Sequence, residues 1–283
     1  MDTIMDQIVK EIIKKALEED LGNGDITTEA TIPNDKSATG EFLVKGDGVI
    51  TGLTVAAEVF KQVDKEVKFE LLFTDGDQAK KGDIVARVSG KARSLLVAER
   101  TALNFLQRMS GIATATRECV DAIAHTKAKI LDTRKTAPGL RLLDKMAVRI
   151  GGGENHRMGL FDMFLVKENH IAVAGSIAKA VAACLAYKKA NNLDAKIEVE
   201  TENLDQVEEA VASGVDWVMF DNFNVSEMKK AVELVHGRVK TEASGGMHVQ
   251  NVKDIAETGV DYISVGALTH SVKALDISFD IAL

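Results

Sequence analysis

Residues 196–221 read KIEVETENLDQVEEAVASGVDWVMFD. Two short runs rich in β-branched and aromatic residues, KIEVE at 196–200 and WVMFD at 217–221, flank a stretch of helical pattern. A strand, a helix and a second strand at this spacing form a βαβ unit, whose strands run parallel. The alternation continues on both sides, with KILDT at 129–133, MFLVK at 163–167, VKTEA at 239–243 and YISVG at 262–266. Nearly every run ends on a polar or charged residue: Asp132 with Arg134 and Lys135, Lys167, Glu198 with Glu200, Asp221, Glu242 with Ser244. That placement favours a barrel over an open doubly wound sheet, because a barrel collects the C-terminal ends of its strands on one face. Only six strands are visible by pattern, so the barrel is expected to be incomplete.

Working outward, the 283 residues, 46% of them hydrophobic, suffice for one large barrel or for two domains. A net charge of −8 excludes a general attraction to nucleic acid or anionic membrane, so an anionic ligand needs a local basic cluster. Cys119 and Cys184 lack the spacing of a metal knuckle or redox pair and fit a reduced intracellular protein. The N-terminal residues place Ile4, Ile8, Ile12, Leu17 and Leu21 among acids and lysines at roughly helical spacing. This predicts an amphipathic helix and not the unbroken apolar stretch of a signal peptide, so a cytoplasmic location is expected. The apolar segment 171–187 is too short and too polar to span a bilayer.

A polar loop over Gly22–Thr28 precedes a small β-rich unit over 38–90. Leu96, Leu103, Leu106 and Met109 then mark a helix, with Gly111 expected as its C-terminal cap.

Between Asp132 and His170 the charge reverses, with Arg134, Lys135, Arg141, Lys145, Arg149, Arg157 and Lys167 against few acids. Arginine forks and lysine point charges suit carboxylates and phosphates, so a di-acid together with a polyphosphate is a natural ligand set. Arg141, Lys145 and Arg149, spaced four apart, are read instead as a solvated helix face. Arg134 and Lys135 follow a strand directly and precede the turn at Pro138 and Gly139, which puts them in a strand-end loop. Lys167 ends an apolar run and requires an anion or a carboxylate as partner.

Glu198 and Glu200 share one face of a strand that ends at the barrel mouth, beside the strand ending at Asp221. Such carboxylates can anchor bases, hold ribose hydroxyls or bind Mg²⁺ carrying pyrophosphate. Ser244, Gly245 and Gly246 follow a strand, and Gly266 with Ala267 precede a short helix, so their backbone amides suit a phosphate. His156, surrounded in sequence by cations, is expected to be neutral and to donate a hydrogen bond. No zinc spacing accompanies it.

The ordered motifs DTRKTAPGLR, GGGENHRMGL, LVKENH, IEVE, FDN, ASGG and VGALTHS, preceded by EDLGNGDITT and ERTALNFLQRMSGIAT, resemble those of the quinolinate phosphoribosyltransferase family. The resemblance covers most of the chain. It implies a type II phosphoribosyltransferase with an N-terminal α/β sandwich domain over 1–112, joined by the tail 272–283, and an incomplete, six- or seven-stranded TIM-like α/β barrel over 113–271.

It further implies that quinolinate and phosphoribosyl pyrophosphate react with loss of CO₂ and pyrophosphate. Thr133, Arg134, Lys135, His156, Arg157 and Lys167 would surround quinolinate, with Arg100 supplied by the partner of a homodimer. By residue pattern alone Arg100 is a helix-surface residue. Glu200 and Asp221 would serve the ribose and Mg²⁺, and Ser244, Gly245, Gly246, Gly266 and Ala267 the 5-phosphate. Lys135, Lys167, Glu200 and Asp221 are the expected catalytic groups. Three rivals are a paralogue acting on nicotinate or another aromatic acid, an aldolase with Lys167 as Schiff-base lysine, and a non-catalytic phosphometabolite-binding barrel.

Overall fold

A computed structural model describes residues 3–282. They divide into two compact units, the first comprising 3–117, 137–152 and 272–282 and the second 118–136 and 153–271.

The first unit begins with helix α1 (Thr3–Leu21), whose buried Val9, Ile13 and Leu17 form the apolar stripe. The expected loop ends early: Asp25 accepts hydrogen bonds from the amides of Thr27 and Thr28 and so caps a short helix, α2 (Ile26–Thr31). Strands β1 (Ser37–Val44), β3 (Lys68–Leu71) and β5 (Ile84–Lys91) then form an antiparallel sheet, while β2 (Gly48–Val49) pairs with β4 (Gln78–Ala79). Helix α3 (Leu53–Val63) sits between β2 and β3 in sequence and buries Val55, Ala56, Val59 and Phe60. The C-terminal strand β12 (Ile277–Ala282) completes the sheet order β12-β1-β5-β3.

Phe42, Phe60, Phe69 and Phe279 converge with ring centroids 4.9–6.0 Å apart, forming the aromatic centre of this unit. Gly40 is required there, because a Cβ would lie 2.1 Å from the Phe279 ring.

The helix predicted to stop at Gly111 continues through it, as α4 (Ala92–Ala122). Gly111 serves instead for close approach: a Cβ would meet the Lys273 carbonyl oxygen at 2.2 Å. Helix α5 (Arg141–Ile150) also departs from expectation. Arg149 is exposed, yet Lys145 is buried, so Arg141, Lys145 and Arg149 do not form one solvated face. Burial extends around α5 beyond its apolar residues because the fully buried Asp144 receives both Nε and Nη2 of Arg108, each at 2.8 Å.

The second unit contains only parallel strand pairs: β6 (Lys129–Leu131), β7 (Met163–Val166), β8 (Lys196–Thr201), β9 (Trp217–Asp221), β10 (Lys240–Ser244) and β11 (Tyr262–Ser264). Their order is β6-β11-β10-β9-β8-β7. The first strand therefore pairs with the last, as happens when a sheet curls on itself, and the ring is left open between β6 and β7. At that opening a single bridge joins Leu131 to Glu154. This is the incomplete six-stranded barrel.

Helices α6 (Glu168–Ala174), α7 (Ile177–Ala190), α8 (Leu204–Ala212), α9 (Val225–Val235), α10 (Val252–Ala256) and α11 (Ala267–His270) alternate with the strands. Capping chemistry sets the starts of α7, α8 and α9, since Ser176 accepts from the Lys179 amide, Asn203 accepts from the Gln206 amide and Asn224 and Glu227 form a reciprocal capping box. Among the described residues no single helix is long and apolar enough to cross a membrane.

Replacing Asp144 with Ala removes the buried member of a bidentate pair whose arginine is partly exposed, and unfolding in urea should show a loss of about 2 kcal/mol. A loss below about 1 kcal/mol, the usual value for an exposed pair, would show that the Arg108–Asp144 contact does not matter to this unit.

Candidate functional site

Strand ends and the loops after them enclose a cavity of about 530 Å³ in the second unit. It gathers Thr133, Arg134, Lys135, His156, Arg157, Lys167, Glu200, Asp221, Ser244, Gly245 and Gly246. Gly266 adjoins this lining, since a Cβ there would stand 3.3 Å from Lys135 Cδ, and Ala267 begins α11 behind it. Arg100 is exposed on α4 of the first unit. Leu165, Met219, Asn222, Glu242 and Ser264 also line the cavity, and of these only Glu242 is marked by sequence pattern, as a strand-end acid.

The loop after β6 is held at both ends of its basic pair. Thr133 Oγ1 accepts the Lys135 amide at 3.0 Å, and Thr269 Oγ1 of α11 donates to the Lys135 carbonyl at 2.9 Å. The loop carrying His156 and Arg157 is organised by Asp132, which has no exposed surface. Its carboxylate accepts Asn155 Nδ2 at 2.5 Å and the His156 amide at 2.9 Å. Arg157 reaches back to donate to the Met163 carbonyl at 3.1 Å. Its guanidinium is lowered from the ordinary value, first by burial and then by the charge of Arg134. Two cations brought together in a cleft are a natural receptor for anions.

The side chain of Lys167 forms an ion pair with Glu200, which answers its need for a partner. At the end of the neighbouring strand Asp221 is raised above the usual carboxylate range, by burial first and by the charge of Glu200 second. Asn222 Nδ2 donates to Asp221 Oδ2 at 2.8 Å.

His156 differs from the sequence expectation. Its Nε2 faces carboxylates, lying 2.9 Å from Glu198 and 3.4 Å from Glu242, both fully buried. Burial by itself lowers an imidazole, but hydrogen bonds to Glu198 and Glu242, aided by their charge, outweigh it and raise His156 to about 10. An opposing contact exists: the Arg157 amide donates to His156 Nδ1 at 2.8 Å and needs that nitrogen's lone pair. Losing that bond costs ~1–3 kcal/mol, whereas each pKa unit is worth about 1.4 kcal/mol, so the amide offsets part of the rise and not all of it. The two contacts pull the ring in opposite directions, and the paired glutamates favour its protonated form. Glu198 moves upward too, through burial and then the charge of Glu242. Glu242 Oε1 accepts Ser264 Oγ at 2.5 Å.

Imidazole NMR of His156 should accordingly show a protonated ring between about pH 6 and 8, where a free histidine loses its proton. Glu242→Gln should lower the midpoint, and a midpoint near 6.5 in the unaltered protein would show that Arg157's amide dominates.

Comparison with known proteins places this geometry in context. The chain matches "Quinolinate phosphoribosyl transferase, N-terminal domain" over residues 25–110 and "Quinolinate phosphoribosyl transferase, C-terminal domain" over residues 112–280. It is 50% identical to the mitochondrial quinolinate phosphoribosyltransferase [decarboxylating] 2b of Nicotiana tabacum, covering 96% of this chain and 82% of that one. It is 44% identical to a probable nicotinate-nucleotide pyrophosphorylase [carboxylating] of Bacillus subtilis, covering 97% of this chain and 94% of that one. Among solved structures, the nicotinate-nucleotide pyrophosphorylase of Francisella tularensis superposes with a TM-score of 0.92 at 42% identity, over 98% of this chain and 96% of that one. With both family domains matched in order and relatives up to 50% identical over nearly the whole chain, the chain belongs to the quinolinate phosphoribosyltransferase family.

Proposed function

We propose that the cavity transfers phosphoribosyl from phosphoribosyl pyrophosphate to quinolinate with decarboxylation, giving nicotinate mononucleotide, pyrophosphate and CO₂. The observation that carries this reading is the composition of the cavity. Arg134, Lys135, Arg157 and Lys167 meet Glu200, Asp221 and the glycine turn 244–246 in one enclosure, within a chain of net charge −8. Arg134 and Arg157 supply charge for two carboxylates, with Thr133 offering a hydroxyl beside them, while His156, which lines the same cavity, is committed to Glu198 and Glu242. Arg100 of a second copy would add to this set, which makes the working unit a homodimer.

Gly245 and Gly246 have φ of +96° and +63°, a conformation that exposes backbone amides, and with Ser244 they would take the 5-phosphate. Gly266 and Ala267 would share that role.

Glu200 and Asp221 offer hard oxygen donors at the cavity, and Mg²⁺ is commonly held by one or two carboxylates together with substrate phosphates. Those two residues would hold it, and it would neutralise charge on the departing pyrophosphate. The pyridine nitrogen attacks the anomeric carbon as pyrophosphate leaves, and the carboxylates Glu200 and Asp221 stabilise the positive charge that develops on the sugar. Lys135 and Lys167 hold the anions that the ring and the leaving group present. The ring nitrogen is then cationic, so departure of the adjacent carboxylate as CO₂ leaves a carbanion stabilised by that neighbouring charge, and this carbon takes up a proton from solvent to give nicotinate mononucleotide. Two free cysteines, Cys119 and Cys184, fit a reducing compartment and support a cytoplasmic site of action. A boundary near residue 112, between a sandwich domain and the barrel, accords with the two matched segments.

Incubation with quinolinate, phosphoribosyl pyrophosphate and Mg²⁺ should release CO₂ and pyrophosphate, with nicotinate inert as a control. Turnover of nicotinate alone would overturn the second carboxylate pocket. Arg134→Ala should weaken quinolinate binding by about 2–5 kcal/mol, as expected when a charge-assisted contact is lost and its partner stays buried, and near-normal affinity would remove Arg134 from the site.

A further inference from the structure

Three non-glycine residues among those described have positive φ: Asn192, Asn222 and His236. Asn192 and His236 lie at the C-terminal ends of α7 and α9, where a left-handed residue is ordinary. Asn222 instead follows β9 directly, at the cavity, with φ of +58°. It is exposed, so core packing does not account for the conformation.

Its contacts point to another reason. Asp221 and Ser244 are partners in the register of β9 and β10, and the next residue of each strand carries the contact onward. The Asn222 amide donates to the Ser244 carbonyl at 2.9 Å, while its side-chain Nδ2 donates to Asp221 Oδ2 at 2.8 Å. Its Oδ1 occupies the space beside Gly245, where a Cβ would approach to 2.2 Å. One side chain is thus wedged between the Asp221 carboxylate and the Ser244–Gly246 turn.

We propose that Asn222 is a positioning residue for the phosphoribosyl half of the site, fixing the Asp221 carboxylate relative to the Ser244–Gly246 turn. The inference rests on the function proposed above, in which those two elements hold the ribose and the 5-phosphate of one substrate. Because both ends of the wedge belong to that substrate's side, its removal falls on phosphoribosyl pyrophosphate and spares quinolinate. The side chain must be an amide: a carboxylate at 222 would face Asp221 with like charge and could not donate to it.

Asn222→Gly keeps the left-handed backbone and deletes both side-chain contacts, while Asn222→Asp keeps size and shape and replaces the donor. Steady-state kinetics with each substrate varied at saturation of the other should show the KM for phosphoribosyl pyrophosphate rising about tenfold in Asn222→Gly. It should rise further in Asn222→Asp, with the KM for quinolinate within about twofold of normal and the melting temperature nearly unchanged. Equal rises in both KM values with a lowered melting temperature would mean a merely structural role and overturn the proposal, as would an unchanged KM for phosphoribosyl pyrophosphate. Failure of the unaltered protein to turn over the two substrates would instead remove the underlying functional reading, and this inference with it.

Discussion

Three carboxylates, those of Asp132, Glu198 and Glu242, have no exposed surface, and their partners come from within the barrel, which among the described residues leaves Glu198 Oε1 and Glu242 Oε2 without a hydrogen bond. A buried charge without partners is costly enough to dictate its surroundings. Asp132 takes Asn155 and the His156 amide, Glu198 takes the His156 ring, and Glu242 takes Ser264 and approaches the same ring. Strands β6, β8, β10 and β11 are thereby tied to one loop through His156. The next residue in that loop, Arg157, faces the cavity as a consequence. The position of this cation therefore follows from the hydrogen bonds that buried acids draw from its loop.

This arrangement also explains why a strongly acidic chain presents a basic cavity. Its acids are committed: Asp132, Glu198 and Glu242 face inward, and Glu200 holds Lys167. Arg134 and Arg157 stand close enough for Arg134 to lower the Arg157 guanidinium, so positive potential gathers at the cavity. Global charge governs distant partners, whereas the order of side chains along strand ends governs what the cavity receives.

Much of this was legible in the residues. The alternation around 196–221 marked all six barrel strands within a residue or two of their observed ends, and the polar residues at or near the ends of most runs located the cavity wall. Motif likeness supplied Thr133, which joins that wall. What could not be read depends on contacts distant in sequence. Gly111 looked like a cap because the carbonyl that demands a glycine belongs to Lys273. Lys145 looked solvated because four-residue spacing says nothing about what covers a helix, and the pairing of Arg108 with Asp144 lies across two helices. His156 looked neutral because its sequence neighbours are cations, while its spatial neighbours are glutamates on β8 and β10. Asn222 carried a faint local signal, an asparagine directly after a strand-final aspartate, of the kind that tolerates left-handed backbone.

Burial separates two kinds of ion pair in the cavity. The His156 and Glu198 side chains are 7% and 0% exposed, whereas those of Lys167 and Glu200 are 45% and 16% exposed. Removing a partner from the first pair strands a charge in low dielectric, so that pair is a permanent part of the framework. The second is solvated, and water and a ligand anion can both replace Glu200 at Lys167 with little net cost. A carboxylate or phosphate entering the cavity thus exchanges partners at its mouth without disturbing the acids that hold its floor. The same fold can keep a rigid interior and still admit two mutually repelling anions, because its fixed charges are buried and its exchangeable ones are not.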